Sequence, residues 1–408
     1  MTEDTATDAD RQLNARLRRN VPLHYAFVFL MDFGLSRGIW MLYLAFKGLS
    51  LFQIGLMETI FHVTSFLMEV PTGAIADLYG RKTSRILGRV ADVISTALIL
   101  LSRDFTGIAI GFVFSALSYN LESGAGDALI FDSMKQLGEE EGYVKVRGKT
   151  EVVYQMVSVL SLLIGGYIAT LSFDRVYQIS LVIGILAIAS AFKFTEPTIG
   201  RPDNRGNVFK LIKIQVTESL SVIRKDKRVA GLILLSELVG VFCTTIFFYI
   251  QNYYQAQGLT TFQIGAILAS NSVLAAIAAS QAERVKRLGR LRELLTIISL
   301  ALVVCLWGIL SQHFGLAFFA LLGGFYSILW VLTGDAIHPL IPSEQRATII
   351  SLQSMLSSLF MIVLFPIVGK VGDLYGLRTA FVGVAAAATL TLGAFVVALT
   401  VITRKTRS

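Results

Sequence analysis

Several ionisable side chains of this 408-residue chain fall inside long apolar runs, where an uncompensated charge is expensive. Asp32 and Arg37 share the first run, and Glu58, His62 and Glu69 the second. Arg89 and Asp92 lie in the third, Glu122 and Asp127 in the fourth, Glu237 in the seventh and Asp335 in the tenth. A charge at the centre of a membrane helix costs about 2.5–3.5 kcal/mol on insertion scales, so such residues mark pathways or proton sites by default. Desolvation disfavours the charged form of a carboxylate, so a buried acid can take up and release a proton as its surroundings change. Asp32 and Glu122 are the proton-coupling candidates on this ground, both central in their runs. Asp32 has two readings, a proton or cation site and a fixed ion pair with Arg37. The five-residue spacing does not place the two ideally for facing each other on a helix. Arg37, Glu58, Glu237, Trp330 and Asp335 are candidates to line a substrate cavity, with Glu58 also suited to an outer gate.

The elements that must position these groups are membrane helices. Hydrophobic residues make up 54% of the chain and charged residues 16%, against about a quarter charged in soluble domains. Runs of about 18 or more apolar residues can each cross the hydrocarbon as a helix, and backbone polar groups in lipid must be satisfied within the segment. The fold class expected is therefore an all-α polytopic membrane protein. Twelve spans are predicted, at 22–46, 52–76, 83–103, 105–133, 149–171, 175–195, 228–254, 262–283, 292–311, 314–340, 346–369 and 378–402. The expected organisation is a tail 1–21, a six-helix bundle 22–195, a linker 196–227, a second bundle 228–402 and a tail 403–408. Within the linker, 207–225 has apolar residues at helical spacing and reads either as an amphipathic surface helix or as a solvated linker.

The basic residues alternate between loops. Arg81, Lys82 and Arg85, the 201–228 cluster and the run from Arg284 to Arg292 fall on the side of both termini. The positive-inside rule puts that side in the cytoplasm. It also accounts for the formal net charge of +8 without nucleic acid. A multi-pass inner-membrane protein of a bacterial cell, acting as a monomer, is expected. The polar first 20 residues do not read as a signal peptide. Cys243 and Cys305 lie in separate apolar runs and are expected to be unpaired.

The two halves repeat each other. Phe52-Gln-Ile-Gly55 recurs as Phe262-Gln-Ile-Gly265, Gly126-Asp127-Ala128 as Gly334-Asp335-Ala336, and Arg147 as Arg346. Parallel six-helix repeats with a site near the midplane are a known transporter architecture. The shared context of Asp127 and Asp335 favours a structural or gating role for both.

Gly73-Ala-Ile-Ala-Asp77-Leu-Tyr-Gly80-Arg81-Lys82, between the second and third spans, resembles the loop 2–3 signature of the major facilitator superfamily. Pro342 to Ser351 and Gly369 to Arg378 resemble the segments that open and close that family's eleventh span. The resemblance implies a secondary transporter working by alternating access. It implies a gating cluster of Gly73, Asp77, Gly80, Arg81, Lys82 and Asp132, in which Asp77, Arg81 and Asp132 pair to latch the outward-facing state. In the second half Gly289-Arg290 keeps the turn, but Lys286 and Arg287 replace the acid. Two antiporter signatures of the family are altered: Asn120 stands where a fourth-span arginine is usual, and Ser161-Leu162 precedes Gly165-Gly166 where Gly-Pro is usual. The leading expectation is proton-coupled export of a small amphiphilic drug or metabolite. The alternative is a proton-coupled importer or a facilitator of a polar nutrient. Expected partners are protons, the small-molecule substrate and the lipid bilayer.

Other chemistries find no support. Gly148-Lys149-Thr150 lacks the earlier glycine of a phosphate-binding loop, since Tyr143 stands there. His24, His62, His313 and His338 have no paired ligand spacing, so no metal and no cofactor is expected. No nucleophile elbow is present, and an enzyme is not expected.

Overall fold

The computed structural model describes residues 8–199, 227–337, 341 and 346–405. The described residues are helical almost throughout. A short α1 (Asp8–Arg18) is followed by α2 (Asn20–Asp32), α3 (Trp40–Phe46), α4 (Leu51–Tyr79), α5 (Arg81–Leu101), α6 (Phe105–Glu122) and α7 (Ala125–Gln136). Next come α8 (Tyr143–Leu171), α9 (Phe173–Ala191), α10 (Lys227–Ala256), α11 (Thr261–Lys286) and α12 (Leu291–Gly308). The last are α13 (Gly315–Ile337), α14 (Arg346–Tyr375) and α15 (Leu377–Lys405). The expected amphipathic segment 207–225 lies outside the described residues, as do residues 342–345 of the motif that opens the eleventh span.

Nine of these helices are long and apolar enough to cross a membrane: α4 and α8 to α15. The three remaining expected spans differ for physical reasons. Span one is α2 and α3, interrupted over Phe33–Ile39. Span four is α6 and α7, broken at Ser123 and Gly124, where Gly124 takes φ +77°. Span three is α5, which carries Arg85, Arg89 and Asp92 in its apolar stretch. The two interruptions are not anticipated by the expected spans, although polar residues stand at both, Asp32, Ser36 and Arg37 at the first and Glu122, Ser123 and Asp127 at the second.

Two compact units are present. The first holds the described residues up to Arg37, Val63–Ser161 and those from Leu171 to 199. The second holds Gly38–His62, Leu162–Thr170 and the described residues from 227 onward. In the first, α5 packs against α6, α7 and α9, and α2 packs against α9. In the second, α11 packs on α13, α10 runs along α13, α14 and α15, and α3 rests on α10. The beginning of α4 joins the second unit through close backbone approach. A Cβ at Gly55 would lie 2.8 Å from Phe365 O and 2.7 Å from the Tyr249 hydroxyl.

The turns at Gly80 and 287–290, flanked by Arg81, Lys82, Arg284 and Lys286, mark the basic ends of the helices, where the turn 137–142 itself carries Glu139, Glu140 and Glu141. Those at 47–50, 257–260, 309–314 and Gly376 mark the charge-poor ends.

Candidate functional site

The first unit concentrates its polar groups where the two interrupted spans break. Asp32 is the last residue of α2, at the start of the unwound segment, and its carbonyl accepts from Ser161 Oγ at 3.4 Å. Arg37 lies within that segment. Its guanidinium donates to Tyr154 OH at 2.8 Å and Ser158 Oγ at 3.3 Å, both on α8. Arg37 is thus anchored on α8. The Asp32 carboxyl lies within electrostatic reach of Arg37, Arg89, Glu122 and Glu151. Discontinuous membrane helices are a recurrent way to bring backbone and charged groups to a ligand at mid-depth.

Glu122 ends α6 beside the second break. Its Oε1 accepts from Arg85 Nε at 3.0 Å and Nη2 at 2.9 Å. Its Oε2 is buried without a hydrogen-bond partner. Arg85 is fully buried, with its Cζ 4.1 Å from the Phe27 ring centroid and 4.7 Å from that of Phe194. His24 Nδ1 lies 3.4 Å from Arg85 Nη2. Two aromatic faces supply cation–π attraction to the fully buried guanidinium. The sequence groups Arg85 with the loop cations Arg81 and Lys82; the structure turns it inward, one helical turn further along α5. Arg89 donates to Ser118 Oγ at 3.0 Å and lies 3.7 Å from Asp92. Asn120, at the position of the altered arginine, exchanges two hydrogen bonds of 2.7 Å with Ser65.

At the basic end of this unit, Arg81 forms an ion pair with Asp132 and donates from Nη1 to Ala128 O at 2.9 Å. Asp77 lines the same small crevice as Gly80, Arg81, Asp132 and Glu196. Gly73 is exposed on α4, one turn before Asp77. Glu196 is a site residue that the sequence reading missed. Its carboxylate accepts from the backbone N–H of Arg81 at 2.8 Å and of Lys82 at 2.7 Å, capping the start of α5. A carboxylate at a helix N-terminus satisfies orphan donors and suits the helix dipole. Gly80 is required twice over there: it takes φ +96°, and a Cβ would lie 2.9 Å from the Glu196 carboxyl. The available signal was an acid just past the sixth span, at a point where the chain returns to the basic side.

In the second unit Glu237 is buried on α10 and fully engaged. It accepts from Gln353 Nε2 at 3.0 Å and, by a short contact, from Ser357 Oγ, both on α14; Ser236 Oγ lies 3.2 Å away. Elsewhere on α10, polar atoms of Thr245, Gln251 and Asn252 are buried without partners. Glu58 lies on α4 with His62 one turn on, at 3.5 Å. Trp330 is 46% exposed and tilted against Tyr326. Asp335 is bonded to Lys286 Nζ at 2.6 Å, with both side chains about half exposed. Lys286, which stands where the second motif copy has lost its acid, thus finds its acid on α13. Cys243 and Cys305 are free and buried. Among the described residues no His, Cys, Asp or Glu cluster could hold a metal.

Comparison with known proteins bears on the fold and the family. The MFS-type transporter YxaM of Bacillus subtilis (strain 168) is 25% identical over 375 residues, 89% of this chain and 92% of YxaM. Among solved structures, the nucleoside transporter NupG superposes with a TM-score of 0.71 at 12% identity, over 94% of this chain and 98% of that one. A POT family transporter in complex with 5-aminolevulinic acid gives 0.72 at 13% identity, over 93% and 96%. A bacterial homologue of the human lysosomal transporter Spinster, inward-facing and unoccupied, gives 0.70 at 14% identity, over 95% and 97%. These likenesses establish the fold. The sequence model of the Major Facilitator Superfamily matches residues 25–358, and the chain, a multi-pass membrane protein and a transporter, belongs to that superfamily.

Proposed function

We propose that the protein is a proton-coupled exporter of small amphiphilic molecules, working by alternating access as a monomer in a bacterial cell membrane with both termini in the cytoplasm. The basic helix ends support that orientation through the positive-inside rule. The observation that carries the reading is the placement of Asp32 at an unwound break, within electrostatic reach of Glu122, whose Oε2 is buried and unpartnered. A proton on Asp32, or a cationic or amine-bearing substrate beside it, would each offset the same carboxylate charge, so proton and substrate compete for it.

The exchange then runs by population shift, since a ligand moves a conformational equilibrium only through its different affinity for the two states. Asp32 and Glu122 hold the proton, Arg37 is a substrate contact, and Arg81 with Asp132 is the latch at the cytoplasmic end. Asp77 beside that pair would tighten it in the outward-facing state.

A second reading, uptake of a polar nutrient, is favoured by the unpartnered polar atoms of Thr245, Gln251 and Asn252 on α10. Structural neighbours named for nucleoside transport and for a complex with 5-aminolevulinic acid are compatible with it. One experiment separates the two. Flux into and out of proteoliposomes is followed under an imposed pH gradient, using lipophilic cations, neutral drugs and polar nutrients. Proton-driven movement of an amphiphile, lost in Asp32→Asn, supports the exporter. Movement of a nutrient, or flux indifferent to the gradient, overturns it.

A further inference from the structure

Glu58 and His62 take no part in the exchange at Asp32 and Glu122, yet they form the one acid–imidazole pair among the described residues of the second unit. Glu58 Oε2 is 3.5 Å from His62 Nε2, and His62 Nδ1 is 3.2 Å from Ser358 Oγ on α14. Carboxylate, imidazole and hydroxyl therefore stand in line across a helix–helix seam. Their side chains are largely buried, at 13% exposure for Glu58 and 17% for His62.

The pair sits in the middle of a tightly closed seam. At its charge-poor end Asp373 accepts from the backbone N–H of Leu51 and Phe52, 2.9 Å each, and so caps α4 from α14. The Tyr249 hydroxyl, from α10, donates toward Phe365 O at 2.8 Å and Leu51 O at 3.2 Å. Thr59 Oγ1 donates to Ile362 O at 3.0 Å. Apart from the Tyr249–Phe365 bond, which joins α10 to α14, each of these contacts ties the first three turns of α4 to α14 or α10.

Tyr249 is the titratable group within electrostatic reach of Glu58, and it and the charged groups of the same seam are already committed. Asp373 is held by the α4 N-terminus, Tyr249 by two carbonyls, and Lys370 lies over the Phe52 ring at 5.5 Å. An ionised Glu58 beside a neutral imidazole is then a net negative charge in a dry seam, which is costly. One proton shared by the two groups removes that net charge, whether it rests on the carboxyl or on the imidazole.

We propose that Glu58 and His62 are a second proton-binding site, whose occupancy seals the charge-poor end of the transporter and whose deprotonation opens it. The proposal rests on the proton-coupled reading, but the residues differ from those assigned there. In a cycle of export, a proton taken from outside by the open state closes the seam and commits the carrier to face inward. The signal has a physical route onward. Ser358 bonds His62 while its neighbour Ser357 bonds Glu237, so movement of α14 at the pair displaces a ligand of the buried carboxylate on α10.

The test needs neither substrate nor gradient. Cys243 and Cys305 are replaced by Ala, spin labels are attached at Phe46→Cys and Gln257→Cys, and the inter-label distance is followed against pH. In the otherwise native protein the distance is expected to lengthen as the pH rises. Glu58→Gln, neutral at every pH, is expected to hold the short distance throughout. His62→Gln, which keeps the acid but removes its partner, is expected to shift the midpoint, and it carries the test if Glu58→Gln fails to fold. A wild-type curve in either variant, a distance independent of pH in the parent, or a response that follows sodium concentration instead of pH overturns the proposal. Such a failure leaves coupling through Asp32 untouched, while a failed flux assay leaves this measurement standing.

Discussion

Arg85 directs both Nε and Nη2 at a single oxygen of Glu122, at 3.0 and 2.9 Å, and leaves the other carboxylate oxygen buried and free. A fork–fork pair would have used both oxygens. The asymmetric geometry holds Glu122 in place through one oxygen and leaves the other without a hydrogen-bond partner. Structure and proposed chemistry meet at one side chain, and they can be separated by mutation.

Removing the cation should be a stability lesion. Arg85→Ala leaves Glu122 as an uncompensated buried charge and empties the space between Phe27 and Phe194. Breaking a buried pair from one side costs about 3–5 kcal/mol. Thermal unfolding of the purified protein in detergent is expected to show a large drop in Tm for Arg85→Ala and a smaller one for Glu122→Gln, which leaves a neutral acceptor. Equal melting of Arg85→Ala and the parent protein would contradict the buried geometry.

The internal repeat supplies a paired control. A Cβ at Gly126 would lie 2.7 Å from Glu122 Oε1 and 3.4 Å from Arg85 Nη2, whereas a Cβ at the repeated Gly334 meets nothing within 4 Å. Gly126→Ala must displace the Arg85–Glu122 pair, and loss of both stability and transport is expected. Gly334→Ala should be neutral, or stabilising by up to about 0.5–1 kcal/mol through helix propensity. Measuring both Tm values and transport rates checks this, and the same outcome at both positions refutes it.

Glu196 should matter although it lies outside the Gly73–Lys82 motif. Its two backbone acceptor bonds at Arg81 and Lys82 predict that Glu196→Ala costs about 1 kcal/mol, as for loss of other helix caps. Glu196→Gln should recover part of that, since an amide oxygen still accepts but the charge facing the helix dipole is gone. Tm values ordered parent, Gln, Ala are expected, and an unaltered Tm in Glu196→Ala removes the cap from the account.

Why these residues were or were not legible follows from what a pattern can carry. Apolar runs reveal membrane helices because lipid leaves the backbone no other solution, and so the α4 and α8–α15 spans were readable. The breaks at Phe33–Ile39 and Ser123–Gly124 were not, because the apolar residues resume on both sides and Asp32, Arg37 and Glu122 read as charges within a span instead of as its interruption. Arg85 reads as a loop cation because it follows Arg81 and Lys82 so closely. Only the distant Phe27, Phe194 and Glu122 make its burial possible. Glu196 is likewise 115 residues from its partner Arg81, a separation no local motif spans. The Arg81–Asp132 pair was expected on family resemblance, not on spacing.

The two glycines that let α8 and α11 touch provide the remaining prediction. A Cβ at Gly166 would lie 2.8 Å from Thr261 O and 3.3 Å from the Gly265 Cα, and one at Gly265 would collide with Leu162 O. Thr261 Oγ1 also donates to Gly166 O at 2.9 Å. Gly265→Ala therefore overpacks the sealed arrangement, at a cost of about 1–3 kcal/mol. An alternative conformer in which these helices separate carries no such cost. A penalty of about 1.4 kcal/mol on one state alone shifts its population tenfold. The variant is accordingly expected to express and fold while favouring the opened charge-poor end. Thiol modification of Thr261→Cys, buried in the sealed state, should accelerate at least about tenfold in the Gly265→Ala background. An unchanged modification rate would mean that the helices absorb the methyl group without parting, and the close approach would then be packing alone rather than part of a gate.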